Sequence, residues 1–275
     1  MRITVTGATG SLGRPLVEEL LARGDEVTVL SRDPAKARDA FGGRVEAVGW
    51  PDPKGGPAPA EGLRGRDAVI HLLGEPVAQR WTDAARTEIR DSRVLGTRNL
   101  VAGLRALPAE DRPRVLVSQS ASGWYGARGD EPVTEDEPAG DDFLARVCLE
   151  WEGEAREAGA LGIRVALTRT GVVLSDSGGA LEKMVPPFKA GVGGPVAGGG
   201  QYVPWIHTDD VVGALIFCAD TAAAEGPLNV TAPEPATNGE LSKALGRVLH
   251  RPAVAPVPSF ALKLLYGEMA QIVTT

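Results

Sequence analysis

The 275-residue sequence is sparing with several residue types, and each shortage removes a class of protein. Two cysteines, Cys148 and Cys218, lie far apart and form no C-x-x-C. That excludes a disulfide framework and a thiolate metal site. Both fall in apolar periodic segments and read as reduced, buried thiols in a reducing compartment. Three histidines, His71, His207 and His250, are scattered without metal-ligand spacing, so no metal is expected. No run of about 20 apolar residues exists, which excludes a membrane-spanning helix. The stretch Arg2-Ile3-Thr4-Val5-Thr6-Gly7 reads as a strand and a turn, not as a signal peptide. Basic charge is in deficit: 29 Lys+Arg face 36 Asp+Glu, a formal net charge of −7. Nucleic acid and anionic membrane are therefore not expected as partners. A cytoplasmic protein handling a small molecule is the expectation. Two further shortages matter below: only three tyrosines (Tyr125, Tyr202, Tyr266), and only six lysines, none of them between Lys54 and Lys183.

With 43% hydrophobic residues, the chain can bury a core and is not disordered. Its first part alternates β-rich runs at 2–6, 26–30, 45–48, 68–73, 114–118 and 165–169 with helical periodicity at 14–23, 34–40, 83–107 and 142–160. Several strands are continuous apolar runs, as in Ala68-Val69-Ile70-His71-Leu72-Leu73, which suits parallel strands covered on both faces. The pattern predicts an α/β fold: a Rossmann-type doubly wound parallel sheet with a smaller interleaved C-terminal substrate-binding part. After residue 170 the rhythm changes. Residues 178–200 are rich in Gly and Pro, with a short helical piece at 181–184. A strand at 205–207, a helix at 209–221 and a strand at 228–231 follow. Thr237 and Glu240 have capping-box spacing ahead of a helix through Leu249. The expected division is a dinucleotide-binding domain over 1–174, with 203–223 returning to it, and a substrate-binding part over 175–202 and 224–275.

The sharpest motif is Gly7-Ala8-Thr9-Gly10-Ser11-Leu12-Gly13, between the first strand and the first helix. Gly7 permits the tight turn, Gly10 lets a pyrophosphate approach the helix N-terminus, and Gly13 lets helix and sheet pack closely. In that context the turn predicts a dinucleotide held by Gly7, Thr9, Gly10, Ser11, Leu12 and Gly13. The second strand ends in Leu30-Ser31-Arg32-Asp33-Pro34. Pro34 suits the first helical position, so Asp33 reads as the N-cap. Ser31 and Arg32 then face the adenosine ribose, and an arginine there accommodates a 2′-phosphate, so NADP is expected over NAD. The fourth strand ends at Leu72-Leu73-Gly74, expected along the adenosine and pyrophosphate side, and Glu75 lies at the crevice mouth, placed for a substrate hydroxyl.

These residues resemble the short-chain dehydrogenase/reductase superfamily, extended type. The chain is most similar to its atypical NADP-binding, epimerase-like branch, nominally nucleoside-diphosphate sugar epimerases, some of which carry a cell-division-inhibitor label. The resemblance rests on Thr6–Gly13, Leu73-Gly74-Glu75-Pro76, Arg80-Trp81, Asp91-Ser92-Arg93, Gly140-Asp141-Asp142-Phe143-Leu144, Arg169-Thr170-Gly171-Val172-Val173-Leu174, Gly178-Gly179-Ala180, Pro186-Pro187-Phe188, Trp205-Ile206-His207-Thr208-Asp209-Asp210, Asn229–Pro233 and Thr237-Asn238. It implies a further strand and helix beyond Thr275.

The resemblance also implies a tyrosine acid/base with a lysine four residues on, and a serine at the end of the fifth strand. Neither member of the pair is present. Gly129 stands four residues after Tyr125, Ile206 after Tyr202, and Ala270 after Tyr266. Aligned by the helix, the two positions fall at Leu144 and Cys148. The serine survives: Ser120 is the carbonyl-binding candidate and Ser118 the cofactor-side one. Tyr125, soon after, is the candidate proton shuttle. Glu75, Trp81, Arg93, Lys183 and His207 are candidates around the substrate; Trp124 and Trp205 could also wall it. His207, beside Asp209 and Asp210, reads as a structural hydrogen-bonding residue before a catalytic one. Two readings stay open: an NADP-dependent oxidoreductase or epimerase with altered acid/base residues, and a catalytically silent NADP(H)-binding sensor or partner-binding protein. Monomer and homodimer are both compatible with the mixed faces of the two long helices.

Overall fold

A computed structural model describes residues 1–176, 178–257 and 267–270. Part of the expected 224–275 segment, with Tyr266, lies outside the described residues. In chain order the elements are β1 (Arg2–Thr6), α1 (Gly13–Ala22), β2 (Glu26–Ser31), α2 (Pro34–Ala40), β3 (Glu46–Gly49), β4 (Ala68–His71), α3 (Asp83–Arg105), β5 (Val115–Ala121), α4 (Phe143–Arg156), β6 (Arg164–Thr170), β7 (Val172–Ser175), β8 (Gly178–Gly179), α5 (Ala180–Lys189), β9 (Tyr202–Val203), β10 (Trp205–His207), α6 (Thr208–Asp220), β11 (Gly226–Val230), β12 (Ala236–Thr237) and α7 (Asn238–Leu249).

Seven parallel strands form the main sheet in the order β11-β6-β5-β4-β1-β2-β3. Side chains alternate between the faces, so one face of β1, β2 and β4 buries Ile3, Val5, Val27, Val29, Ala68 and Ile70 against α1 (Leu16, Val17, Leu20) and α6 (Val211, Leu215). The opposite face buries Val69, Leu116 and Leu167 under Leu100 and Leu104 of α3 and Ala155 of α4. Both faces are covered, which is why the strands read as unbroken apolar runs. The order reverses between β1 and β4, opening a crevice at the carboxyl ends of the strands.

Several expected boundaries move. β4 stops at His71, and the Leu72 N–H just beyond it is shared between the carbonyl and the hydroxyl of Thr6. β5 runs on to Ala121, so Ser118 and Ser120 both lie within it. β11, expected with the substrate-binding part, pairs with β6 at the edge of the main sheet, Leu228 opposite Thr168 and Asn229 opposite Arg169. α5 continues past Met184 to Lys189 through Pro186 and Pro187, whose missing N–H groups cost two helical bonds while their fixed φ suits the helix. The N-cap of α2 and the capping box of α7 form as expected: Asp33 accepts from Lys36 N, and Thr237 and Glu240 bond reciprocally. Among the described residues, no helix is long and apolar enough to cross a membrane, and no His/Cys/Asp/Glu group could hold a metal. Cys148 and Cys218 are buried and unpaired.

Candidate active site

Gly7 closes β1 with φ +68°, a left-handed conformation that favours glycine. A Cβ there would stand 2.7 Å from the Leu72 carbonyl oxygen, and one at Gly13 would stand 2.2 Å from the Gly7 carbonyl oxygen. The turn is therefore wedged between α1 and the end of β4 and has one open side, where Thr9, Gly10 and Ser11 are exposed. Leu12 occupies the N-cap position of α1 and supplies no side-chain cap. Arg14 donates to the Gly10 carbonyl and Pro15 carries no N–H, so the amides at this turn that can meet an outside acceptor are those of Ser11, Leu12 and Gly13, the arrangement that suits a pyrophosphate.

At the end of β2, Asp33 is committed to capping α2. Ser31 turns its hydroxyl onto the Asp33 backbone, donating to its carbonyl and accepting from its N–H. Arg32 is exposed, and among the described residues its guanidinium has no ion-pair partner. The edge of the crevice nearest the glycine turn thus carries an arginine without a competing carboxylate.

Along the β4 edge, Leu72 and Leu73 are half-buried and Gly74 is exposed. Glu75 donates its N–H to Ser92 Oγ, and its carbonyl accepts from Arg93 Nη1 at 2.9 Å. Trp81 meets Phe143 edge to face, with ring centroids 5.1 Å apart, so the loop after β4 packs on the start of α4. Lys183 reaches the same loop, donating to the Ala78 carbonyl. These contacts bring α5 to the β4 side of the crevice. His207 is exposed; its Nδ1 accepts from Asp209 N at 3.2 Å and so caps α6, while Trp205 donates to the Glu234 carbonyl.

The sheet register assembles the β5 side. Ser120, Arg169 and Asn229 occupy adjoining positions across β5, β6 and β11. Arg169 follows Val165 and Leu167 in alternation, so it points into the layer below α4, where it is 1% exposed. Its Nε and Nη2 donate to the two oxygens of Glu152, at 2.9 and 3.1 Å, and Glu152 is also 1% exposed. Arg169 Nη1 donates to the Tyr125 hydroxyl at 3.0 Å and to the Glu135 carbonyl at 2.9 Å. Burial works against this cation, but its bonds to Glu152 and Tyr125 outweigh burial and raise its pKa. The guanidinium lies 3.9 Å from the Trp124 ring centroid, so Trp124 packs on this cation.

Both expected protic groups belong to this network. Ser120 donates to Glu152 at 2.7 Å, and Tyr125 donates to the Asn229 side chain at 2.6 Å. Ser118 is fully buried and donates within its own strand, to the Gln119 carbonyl at 3.4 Å. Leu144 lies near Gly123, and Cys148 points at the Ala121 carbonyl. Burial pushes the Cys148 thiol up to about 12, so it stays protonated at neutral pH.

Glu152, Arg169, Asn229 and Glu135 were not singled out as site residues from the sequence. A signal for Glu152 existed: with Cys148, Trp151 and Ala155 it completes an i, i+3, i+4, i+7 stripe, which puts a carboxylate on a buried face. Arg169 follows the apolar Val165 and Leu167 at alternate positions of β6, a charge on an otherwise apolar face. Asn229 gave no such signal, because its role depends on a strand pairing made across distant sequence.

The profile of the NAD dependent epimerase/dehydratase family matches residues 3–231. The chain belongs to that family. It is 41% identical over 280 residues to the epimerase family protein SDR39U1 homolog, chloroplastic, of Arabidopsis thaliana, covering 99% of this chain and 78% of that one. A crystal structure of human epimerase family protein SDR39U1 (isoform 2) with NADPH superposes with a TM-score of 0.87 at 33% identity, covering all of this chain and 88% of that one. A nucleoside-diphosphate sugar epimerase from Corynebacterium glutamicum gives a TM-score of 0.74 at 34% identity, over all of this chain and 57% of that one. The atypical epimerase-like membership and the Rossmann-type fold expected from the sequence are both borne out.

Proposed function

We propose that this chain binds NADP(H) and acts as an oxidoreductase or epimerase on a small carbonyl or hydroxyl compound, with a sugar nucleotide as the nominal substrate class. The observation that carries the cofactor choice is at the end of β2: Asp33 is spent on a helix cap while Arg32 is exposed without an ion-pair partner. The human relative crystallised with NADPH supports the same choice. In this reading the amides of residues 11–13 take the pyrophosphate, and Gly7, Thr9 and Gly10 shape its seat. Ser31 and Arg32 meet the 2′-phosphate end. Leu72, Leu73, Gly74 and Ser118 flank the rest of the crevice. When bound, NADP(H) supplies hydride donation or acceptance. The chain's own residues would hold the substrate and manage its proton: Glu75, Trp81, Lys183 and His207 around it, Ser120 near the end of β5 and Tyr125 just after it.

Titration of the protein with NADPH and NADH tests the cofactor reading. Wild type is expected to prefer NADPH, and Arg32→Ala to lower that preference by about tenfold, the worth of one charge-assisted contact. An unchanged ratio in the variant would sink the assignment.

The second reading, a silent NADP(H)-binding protein, draws on one observation: the protons of Ser120 and Tyr125 are already committed to Glu152 and Asn229. NADPH held on the protein and challenged with a pool of aldehydes, ketones and nucleoside-diphosphate sugars separates the two. Loss of NADPH fluorescence favours the enzyme, and its persistence favours the binding protein.

A further inference from the structure

Arg93 is a cation that the fold has placed and left only partly bonded. It projects from α3, its Nη1 donating to the Glu75 carbonyl at 2.9 Å and the Ile89 carbonyl at 3.0 Å. Its guanidinium lies 5.3 Å from the Trp151 ring centroid on α4. It also fills the space that a side chain at Gly74 would need: a Cβ there would sit 3.0 Å from Cζ, 3.1 Å from Nη2 and 3.3 Å from Nε. The head group is thus fixed on three sides, by the end of β4, by α3 and by the Trp151 face.

What it lacks is a counter-ion. Among the described residues no carboxylate pairs with it, and Nε and Nη2 donate to nothing. Neighbouring arginines on the outer face of α3 show the contrast: Arg90 bonds Glu150, and Arg98 bonds Glu154. Burial lowers the pKa of Arg93, and the nearby Glu75 charge offsets that only in part. Leaving two guanidinium N–H donors without acceptors at this depth is costly unless an acceptor arrives from outside the chain.

The place defines the acceptor. Gly74 lies just past β4, beside the point where the strand order reverses, so a ligand lying along the carboxyl ends of the strands passes it. With the adenosine end at β2 and the pyrophosphate at α1, the half of a dinucleotide beyond the pyrophosphate runs toward β4 and β5. Nε and Nη2 form a planar fork of two parallel donors, which matches two neighbouring oxygens. α4 contributes no cation here, since it offers Leu144 and the protonated Cys148.

We infer that Arg93 holds the nicotinamide-side ribose of NADP(H), its Nε and Nη2 donating to the vicinal hydroxyl oxygens. The inference rests on the cofactor reading above and goes beyond it. Arg93 then fixes the reactive half of the cofactor without exchanging a proton, because a guanidinium keeps its charge across the working pH range.

Two probes separate this role from a structural one: NADPH, and 2′,5′-ADP, which carries only the adenosine half. Each is titrated by calorimetry into wild type, Arg93→Met and Arg93→Lys. Arg93→Met is expected to weaken NADPH at least tenfold while leaving 2′,5′-ADP within twofold. Arg93→Lys, which keeps the charge but not the fork, should show a smaller NADPH loss with 2′,5′-ADP again unchanged. If Arg93→Met does not fold, the lysine variant alone decides by the same split. Equal losses for both probes, or no loss for either, overturn the inference. Wild type that binds neither probe sinks the cofactor reading itself, a result distinct from the other two.

Discussion

Arg169 makes four anchored donor bonds from a fully buried position: two to Glu152, one to the Tyr125 hydroxyl and one to the Glu135 carbonyl. Removing one partner of a buried ion pair strands the other, which costs about 3–5 kcal/mol, whereas replacing both with apolar groups is often neutral. Glu152 would keep Ser120 and the partly exposed Arg156 as partners, so Arg169→Met is expected to lower unfolding free energy by about 3 kcal/mol, the low end of that range. Glu152→Leu combined with Arg169→Met should recover most of the loss, and urea denaturation of the three proteins measures both. At this scale the sequence was legible where the partner is local. Asp33 as a helix cap and Thr237 with Glu240 as a capping box follow from residues three positions apart. The partners of Ser120 and Tyr125 were not legible. Glu152 is 32 residues from Ser120, and Asn229 is 104 from Tyr125, so only the assembled sheet brings them within bonding distance.

Among elements, α3 and α4 run side by side and are laced on their outer face by Arg90–Glu150, Arg98–Glu154 and Arg105–Glu157. These side chains are substantially exposed, so each pair is worth about 0–1 kcal/mol and weakens with salt. Arg98→Ala should cost less than about 1 kcal/mol at low ionic strength and still less in molar salt, as thermal melting at the two salt concentrations would show. The contrast with Arg169 is one of solvent: the same two ion types lie in water here and out of it there. The helices were legible from periodicity because the stripe that packs on the sheet dominates their pattern. α5 was read short because Pro186 and Pro187 usually end a helix, and here the chain runs through them.

For the whole molecule, the centre of the sheet holds a neutral histidine. His71 is fully buried on β4, with Thr6 Oγ1 at 2.8 Å from one ring nitrogen and Thr97 Oγ1 at 3.0 Å from the other. Burial lowers its pKa to about 3. Below about pH 6.5 the unfolded chain takes up a proton that the folded one refuses. The stabilising contribution is complete above that pH and is lost as pH falls toward 3, at about 1.4 kcal/mol per unit. Melting temperature should thus decline on acidification from pH 6.5 to 4.5, and His71→Gln should show a shallower decline than wild type. A parallel decline in the two proteins would remove His71 as its source.

The pairing of β11 with β6 also has a consequence for synthesis. A chain emerging N-terminus first makes β1 through β6 early, while Asn229 leaves the ribosome only after the whole 171–225 stretch. During that interval the β6 edge is unpaired and the Tyr125 hydroxyl lacks its Asn229 acceptor. The nascent protein thus has its glycine turn and most of its sheet before its buried polar network is complete. The arrival of one five-residue strand closes the sheet edge and supplies the missing acceptor in a single event.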